Sequence, residues 1–181
     1  MAGKSVVALL VQDHQEVKRH FAAFETADRQ EWWGMFEDLV NELVRHEVAE
    51  EEIVFPEARK VVPNGDAIID ARISEQSEAE ELLSKMEKGG AKDPDFPAHL
   101  TKLRQAVLTH AEAEEKTVFD ALAQNLDRER LEKLGDRYEM AKKAAPTHPH
   151  PHAPDTPPGN MALGPVAALA DRFRDAIRKA S

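Results

Sequence analysis

Apolar residues recur along this chain at alternating steps of three and four, and no block alternates with a period of two, so the pattern predicts an all-α fold. The first stripe follows Ser5, a candidate N-cap, as Val7, Leu10, His14, Val17, Phe21 and Phe24, and ends near Asp28. The second carries Phe36, Leu39, Leu43, His46, Glu50 and Ile53, is disturbed by Pro56, and stops before Pro63-Asn64-Gly65-Asp66. Asp66 is placed to cap a third helix with Ile69, Ile73, Gln76, Glu80 and Leu83 in step, which stops at Gly89-Gly90. Asp95 and Pro97 open a fourth, marked by Leu100, Leu103, Val107, His110, Glu114, Thr117 and Ala121. A fifth runs from Asp127 to about Lys143, with Leu131, Leu134, Tyr138 and Ala141 in register.

Four long helices joined by short turns predict an up-down-up-down four-helix bundle over residues 1–125, with the fifth helix, 126–145, packing on it. Composition then changes. Seven of the 11 prolines lie between Pro146 and Pro165, around HPHPHAPDTPPGN, so 146–164 reads as an extended Pro/His-rich linker. Residues 165–181 read as a short amphipathic helix, with Val166, Leu169, Phe173 and Ile177 on one face.

The seams contain seven polar residues where the rhythm calls for apolar ones: His14, His46, Glu50, Gln76, Glu80, His110 and Glu114. A buried carboxylate without a partner costs several kcal/mol, so seven such residues need a common explanation, and a bound cation supplies one. The segment HEVAEEEIVF, from His46, recurs as HAEAEEKTVF, from His110. Residues i and i+4 share a helix face, so each His-x-x-x-Glu pair presents an imidazole and a carboxylate one turn apart toward the bundle axis. The second and fourth helices of such a bundle are diagonal and parallel. The chain therefore reads as two helical hairpins related by a pseudo-two-fold axis, each giving one pair, with glutamates able to bridge two ions. That symmetry asks for a histidine opposite His14 on the third helix, and Gln76 stands there instead. Glu80, one turn along, is placed to fill the position.

The chain has no cysteine, so a metal must be held by imidazole and carboxylate, and thiol chemistry is excluded. Such a donor set suits a redox-active first-row ion, iron first, with zinc and manganese compatible with the same ligands. The formal charge of -10 argues against a nucleic-acid surface. No apolar stretch approaches the roughly 20 residues of a membrane span, and the apolar run Ser5 to Val11 has no small-residue cleavage site after it; a cytoplasmic protein with no membrane insertion is expected.

At these residues the chain resembles the hemerythrin-like family, the HHE cation-binding domains. The likeness covers about Ser5 to Asn125 and is carried by Asp13-His14, His46-Glu47-x-x-Glu50-Glu51, Phe55-Pro56 and His110-x-x-x-Glu114-Glu115 together. The resemblance implies a four-helix bundle around a non-haem di-iron centre, oxo- or hydroxo-bridged. It implies His14, His46 and His110 as terminal ligands, Glu50 and Glu114 as bridges, and Glu47 as an additional terminal ligand. It also implies a small ligand such as O2, H2O2 or NO, in oxygen binding, sensing or oxidative stress, with catalase-like activity within its range. Gln76 departs from the family pattern, where a histidine usually stands. The ferritin-like alternative is disfavoured, because its Glu-x-x-His motif would need glutamate at Val11, Leu43 or Val107. Two other readings are an iron- or oxygen-sensing module without turnover and a metal-free helical interaction protein; docking of the last helix on the bundle or in a homodimer is compatible with each.

Overall fold

The structure, a computed structural model, describes residues 3–145. The Pro/His-rich linker and the amphipathic helix expected after it lie outside those residues. Among the described residues seven α-helices follow in order: α1 (Val6–Ala23), α2 (Trp32–Ala49), α3 (Phe55–Val61), α4 (Gly65–Gly89), α5 (Phe96–Glu114), α6 (Asp120–Asn125) and α7 (Arg128–Ala144). Two π-helical turns, Glu50–Val54 and Glu115–Phe119, join α2 to α3 and α5 to α6, so these pairs form two long, interrupted rods. With α1 and α4 they make the four-helix bundle, and among the described residues there is no strand. Helix α1 packs on α2, α4 packs on α5, and α1–α5 and α2–α4 contacts close the square, which leaves α2 and α5 diagonal. Helix α7 lies against α1, α2 and the first π-helical turn.

Local chemistry explains where the elements depart from the simple periodicity. Pro56 was expected to disturb the second helix; it occupies the first turn of α3, where a missing N–H costs least, and the irregularity is taken up by the preceding π-helical turn. The α-helical part of the first stripe ends at Ala23 rather than Asp28, because Glu25 N and Thr26 N bond three residues back, to Ala22 O and Ala23 O. The cap expected from Asp66 is not used. Helix α4 begins two residues earlier than that cap implies, after Asn64 at φ 55°, and Asp66 bonds Arg59 instead. A side chain at Gly65 would place its Cβ 2.3 Å from Arg59 O, so this tight corner requires glycine. Asp127 does cap α7, its carboxylate accepting from Arg130 N at 2.8 Å.

The core is divided into two apolar clusters. One, at the end near α3, α6 and α7, contains Leu10, Ile53, Phe55, Ile69, Val118, Phe119, Leu122 and Leu134. The other contains Val17, Phe21, Phe36, Leu39, Leu43, Leu83, Met86, Leu103 and Val107. Each fully buried Leu or Phe stabilises the fold by about 1.5–3 kcal/mol, so both halves are well anchored. Between them lies a polar layer in which Asp13, His14, His46, Glu47, Glu50, Gln76 and Glu114 are all buried. Among the described residues no helix is long and apolar enough to cross a membrane.

Candidate metal centre

The side chains of His14, His46, Glu50 and Glu114 each offer a donor atom, and these atoms all lie within 4.8 Å of one another. Glu50 and Glu114 are fully buried, and the two imidazoles nearly so. His46 Nε2 is 3.4 Å from Glu50 Oε2, and His110 Nε2 is 3.3 Å from Glu114 Oε2, so each i, i+4 pair faces inward as the helical spacing predicts. His14 Nε2 completes the layer at 3.5 Å from Glu114 Oε2. Both glutamates stand at the start of a π-helical turn: Glu50 is the first residue of one, and Glu114 immediately precedes the other. An extra residue in each turn rephases the seam after the glutamate, so that Val54-Phe55 and Val118-Phe119 return to the apolar core.

Each imidazole is held from behind by a partner on Nδ1. For His14 it is Glu115 Oε1 at 2.9 Å, itself contacted by Lys18 Nζ at 3.3 Å. For His110 it is Glu75 Oε2 at 2.8 Å, whose other oxygen receives Arg72 at 2.7 Å. For His46 it is the hydroxyl of Tyr138, at 2.8 Å. Nδ1 thus points outward in all three rings and Nε2 inward, the arrangement in which a metal-binding histidine is oriented by its outer hydrogen bond.

The inward-facing atoms fit a cation. Among the described residues, the buried polar atoms with no hydrogen-bond partner include His14 Nε2, His110 Nε2, both carboxylate oxygens of Glu114, Glu50 Oε1, Glu47 Oε2 and Gln76 Oε1. All seven belong to residues of the polar seam or its neighbour Glu47. Buried polar groups are rarely left unpaired, and a cluster of lone pairs facing one another lacks a positive charge. Electrostatics tell the same story. Burial, then the charges of Glu114 and Glu47, push the Glu50 carboxyl well above the usual carboxylate range. Burial, then Glu80, Glu51 and Glu114, do the same to Glu47. Glu114 is also penalised by burial, but the nearby imidazoles of His110 and His14 outweigh this and bring it down to about 2. Burial lowers His46, while His110, despite burial, is raised by Glu114 and Glu75.

The remaining sequence candidates are placed differently. Gln76 is buried in the layer, and its Nε2 donates to Glu50 Oε2 at 3.0 Å, so it holds a seam glutamate while its Oε1 faces inward. Glu47 is buried beside the layer, and Glu80, half-buried on α4, acts on it through its charge. His99 is buried away from the centre, with Nδ1 3.9 Å from Asp93 Oδ2. A cavity of about 20 Å³, enough for a water-sized ligand, opens beside the imidazoles and is lined by Val17, Leu43, Ala79 and Val107 as well as His14, His46 and His110. Sequence reasoning did not assign Tyr138, which it counted as an apolar position of the fifth helix, nor Glu75, nor the two π-helical turns. Tyr138 is the only tyrosine in the chain, the one signal that pointed to it.

A helical bundle with a buried layer of imidazoles and carboxylates defines a metal-binding protein of bundle type. The hemerythrin HHE cation-binding domain model matches residues 5–122, and the chain belongs to that family. It is 32% identical over 171 residues to an uncharacterized hemerythrin-like protein of Schizosaccharomyces pombe, covering 94% of this chain and 81% of that one. It is also 30% identical over 131 residues to a DNA nickase of Nostoc sp., covering 72% of this chain but only 37% of the relative. No solved structure matches it.

Proposed function

We propose that this chain is a non-haem iron protein whose His/Glu centre meets a small ligand, O2, H2O2 or NO, in the bundle core. The observation that carries the reading is the convergence of His14, His46, Glu50 and Glu114 within 4.8 Å, with His14 Nε2, Glu50 Oε1 and both carboxylate oxygens of Glu114 unpaired. In this reading those four residues hold one ion. His110 would hold a second together with Glu114 and Glu50, and Glu47 would supply a further carboxylate. Gln76 and Glu80 complete the surroundings of the second position, which is therefore poorer in imidazole than the first. A bound metal would supply the redox chemistry. The protein's part is to orient the imidazoles, line the approach with the apolar side chains of Val17, Leu43 and Val107, and leave a small space beside the site for a small ligand.

The nickase named for the cyanobacterial relative is a protein of which this chain spans a minor part. A net charge of -10 offers little to a DNA backbone, so that activity is not carried over. A sensor without turnover uses the same centre. The raised carboxyls of Glu47 and Glu50 favour it, because without a cation they oppose one another and couple metal loading to the stability of the bundle.

The test is the absorption spectrum of the iron-reconstituted protein in the near ultraviolet, recorded under argon, in air, and after peroxide or NO, with oxygen evolution followed in the peroxide sample. The proposal expects a spectrum that changes with at least one of these ligands and a response that disappears in His110→Ala. Iron retained with a spectrum indifferent to all three contradicts ligand binding; a ligand response without oxygen evolution selects the sensor or carrier form.

A further inference from the structure

Tyr138 is 1% exposed and belongs to α7, a helix beyond residues 5–122 that match the family. Its hydroxyl makes two hydrogen bonds, at 2.7 Å to Asp13 Oδ2 and at 2.8 Å to His46 Nδ1. A phenol has one proton to give. Asp13 Oδ2 also lies 2.8 Å from Lys142 Nζ, and Lys142 in turn pairs with Glu42. A carboxylate beside an ammonium is an acceptor only, so the phenol proton goes to Asp13 and the phenol oxygen accepts from His46. His46 must then carry its proton on Nδ1, which leaves the Nε2 lone pair directed inward, 3.4 Å from Glu50 Oε2.

The other two histidines obtain the same orientation from carboxylates directly, Glu115 and Glu75. His46 differs in that its carboxylate, Asp13, lies 3.6 Å from Nδ1, too far for a hydrogen bond, and acts through the intervening phenol. Without the hydroxyl, nothing at hydrogen-bond distance holds Nδ1–H. The ring then gains by protonating Nε2 and donating to Glu50, which closes the nitrogen that faces the cation site. Arg45 Nε donates to Lys142 O at 2.8 Å and fixes this end of α7 on α2, so the phenol is held at a defined height.

We propose that Tyr138 is a positioning residue of the metal centre: its hydroxyl selects the Nδ1–H tautomer of His46 and makes the docking of α7 part of the cation site. The inference rests on the metal reading given above only for its consequence on affinity; the tautomer assignment stands on the hydrogen bonds alone. Two measurements on the full chain test it. The first is ¹⁵N-edited NMR of the histidine rings in the metal-free protein, wild type and Tyr138→Phe. The second is Co²⁺ affinity by chelator competition, with circular dichroism confirming that both are folded. Wild-type His46 is expected as the Nδ1–H tautomer, and Tyr138→Phe as a mixture shifted toward Nε2–H with Co²⁺ affinity lowered about 10- to 100-fold. Wild-type His46 protonated on Nε2 overturns the proposal whether or not the variant folds. So does a folded variant with wild-type tautomer and affinity. If wild type binds no Co²⁺, the metal reading fails, and the tautomer comparison alone decides the role of Tyr138.

Discussion

His14 Nδ1 and Glu115 Oε1 lie 2.9 Å apart although their residues are 101 positions apart in the chain. The contact ties α1 to the second π-helical turn and aims His14 Nε2 at Glu114. Because Glu115 is partly exposed and also contacts Lys18, its removal should spare the fold and loosen the ring. Glu115→Ala is expected to weaken zinc binding about 10-fold while the melting temperature of the metal-free protein stays close to wild type. Zinc affinity unchanged in a chelator competition would count against an orienting role.

The metal-free protein should lose stability as pH rises from about 6.5 to 8. Glu47 and Glu50 have carboxyls raised in the folded state, so above the ordinary carboxylate range the fold holds protons that the unfolded chain has lost, and its stability falls as pH rises toward their raised values. His110, raised as well, has the same sign: its stabilisation is present below its unfolded value and is lost as pH passes the folded one. His46 is lowered and opposes this, but only below its ordinary value of 6.5. The lowered carboxyls of Asp13 and Glu114 stabilise the fold throughout this range and lose their effect only in strong acid. A cation takes the ionised groups, so the gap in melting temperature between metal-bound and metal-free protein should widen over the same interval. Thermal melts at the two pH values with and without chelator decide it, and a metal-free protein that grows more stable toward pH 8 contradicts the assignment.

In the proposed reading Gln76 stands on the weaker side of the centre. Its amide donates to Glu50 Oε2 at 3.0 Å and leaves Oε1 buried and unpaired, where an imidazole would present a stronger donor. Gln76→His is expected to increase the amount of metal retained through desalting, chiefly at the second position. Equal retention in the two proteins would show that position 76 lies outside the reach of an ion.

Gly135 lets α7 approach the backbone of the N-terminal segment closely. A Cβ there would sit 2.0 Å from Lys4 O, a backbone atom that cannot swing aside. Gly135→Ala is expected to destabilise the protein by about 1–3 kcal/mol in urea unfolding, despite the higher helix propensity of alanine. A midpoint at or above wild type would mean that α7 is not packed as described.

Much of the centre was legible because helical spacing is rigid. Once His46 and Glu50, or His110 and Glu114, share a seam, their inward convergence follows from 3.6 residues per turn. The four rods and the corner at Asn64-Gly65 were readable for the same kind of reason. The π-helical turns were not, since steps of three and four carry the stripe straight from Glu114 to Thr117, whereas the extra residue leaves Thr117 exposed and hands the seam to Val118. Nor were Glu75 and Tyr138. Glu75 reads as an exposed neighbour of Gln76, and it matters because α5 brings His110 Nδ1 to 2.8 Å from it. Tyr138 reads as an apolar core residue, and its polar end is assigned only when α7 is seen to lay it on Asp13 and His46. Partners of that sort depend on tertiary docking, which one-dimensional periodicity does not encode.

The claim on which the account turns is that the buried lone pairs of His14, His46, Glu50 and Glu114 are completed by a cation. Elemental analysis after anaerobic reconstitution with ferrous iron and desalting measures this directly. The account predicts about one to two ions per wild-type chain and less than about a tenth of an ion in a His46→Ala, Glu114→Gln double variant. A wild-type protein that emerges folded and free of iron, zinc and manganese, or a double variant that retains as much metal as wild type, would contradict it.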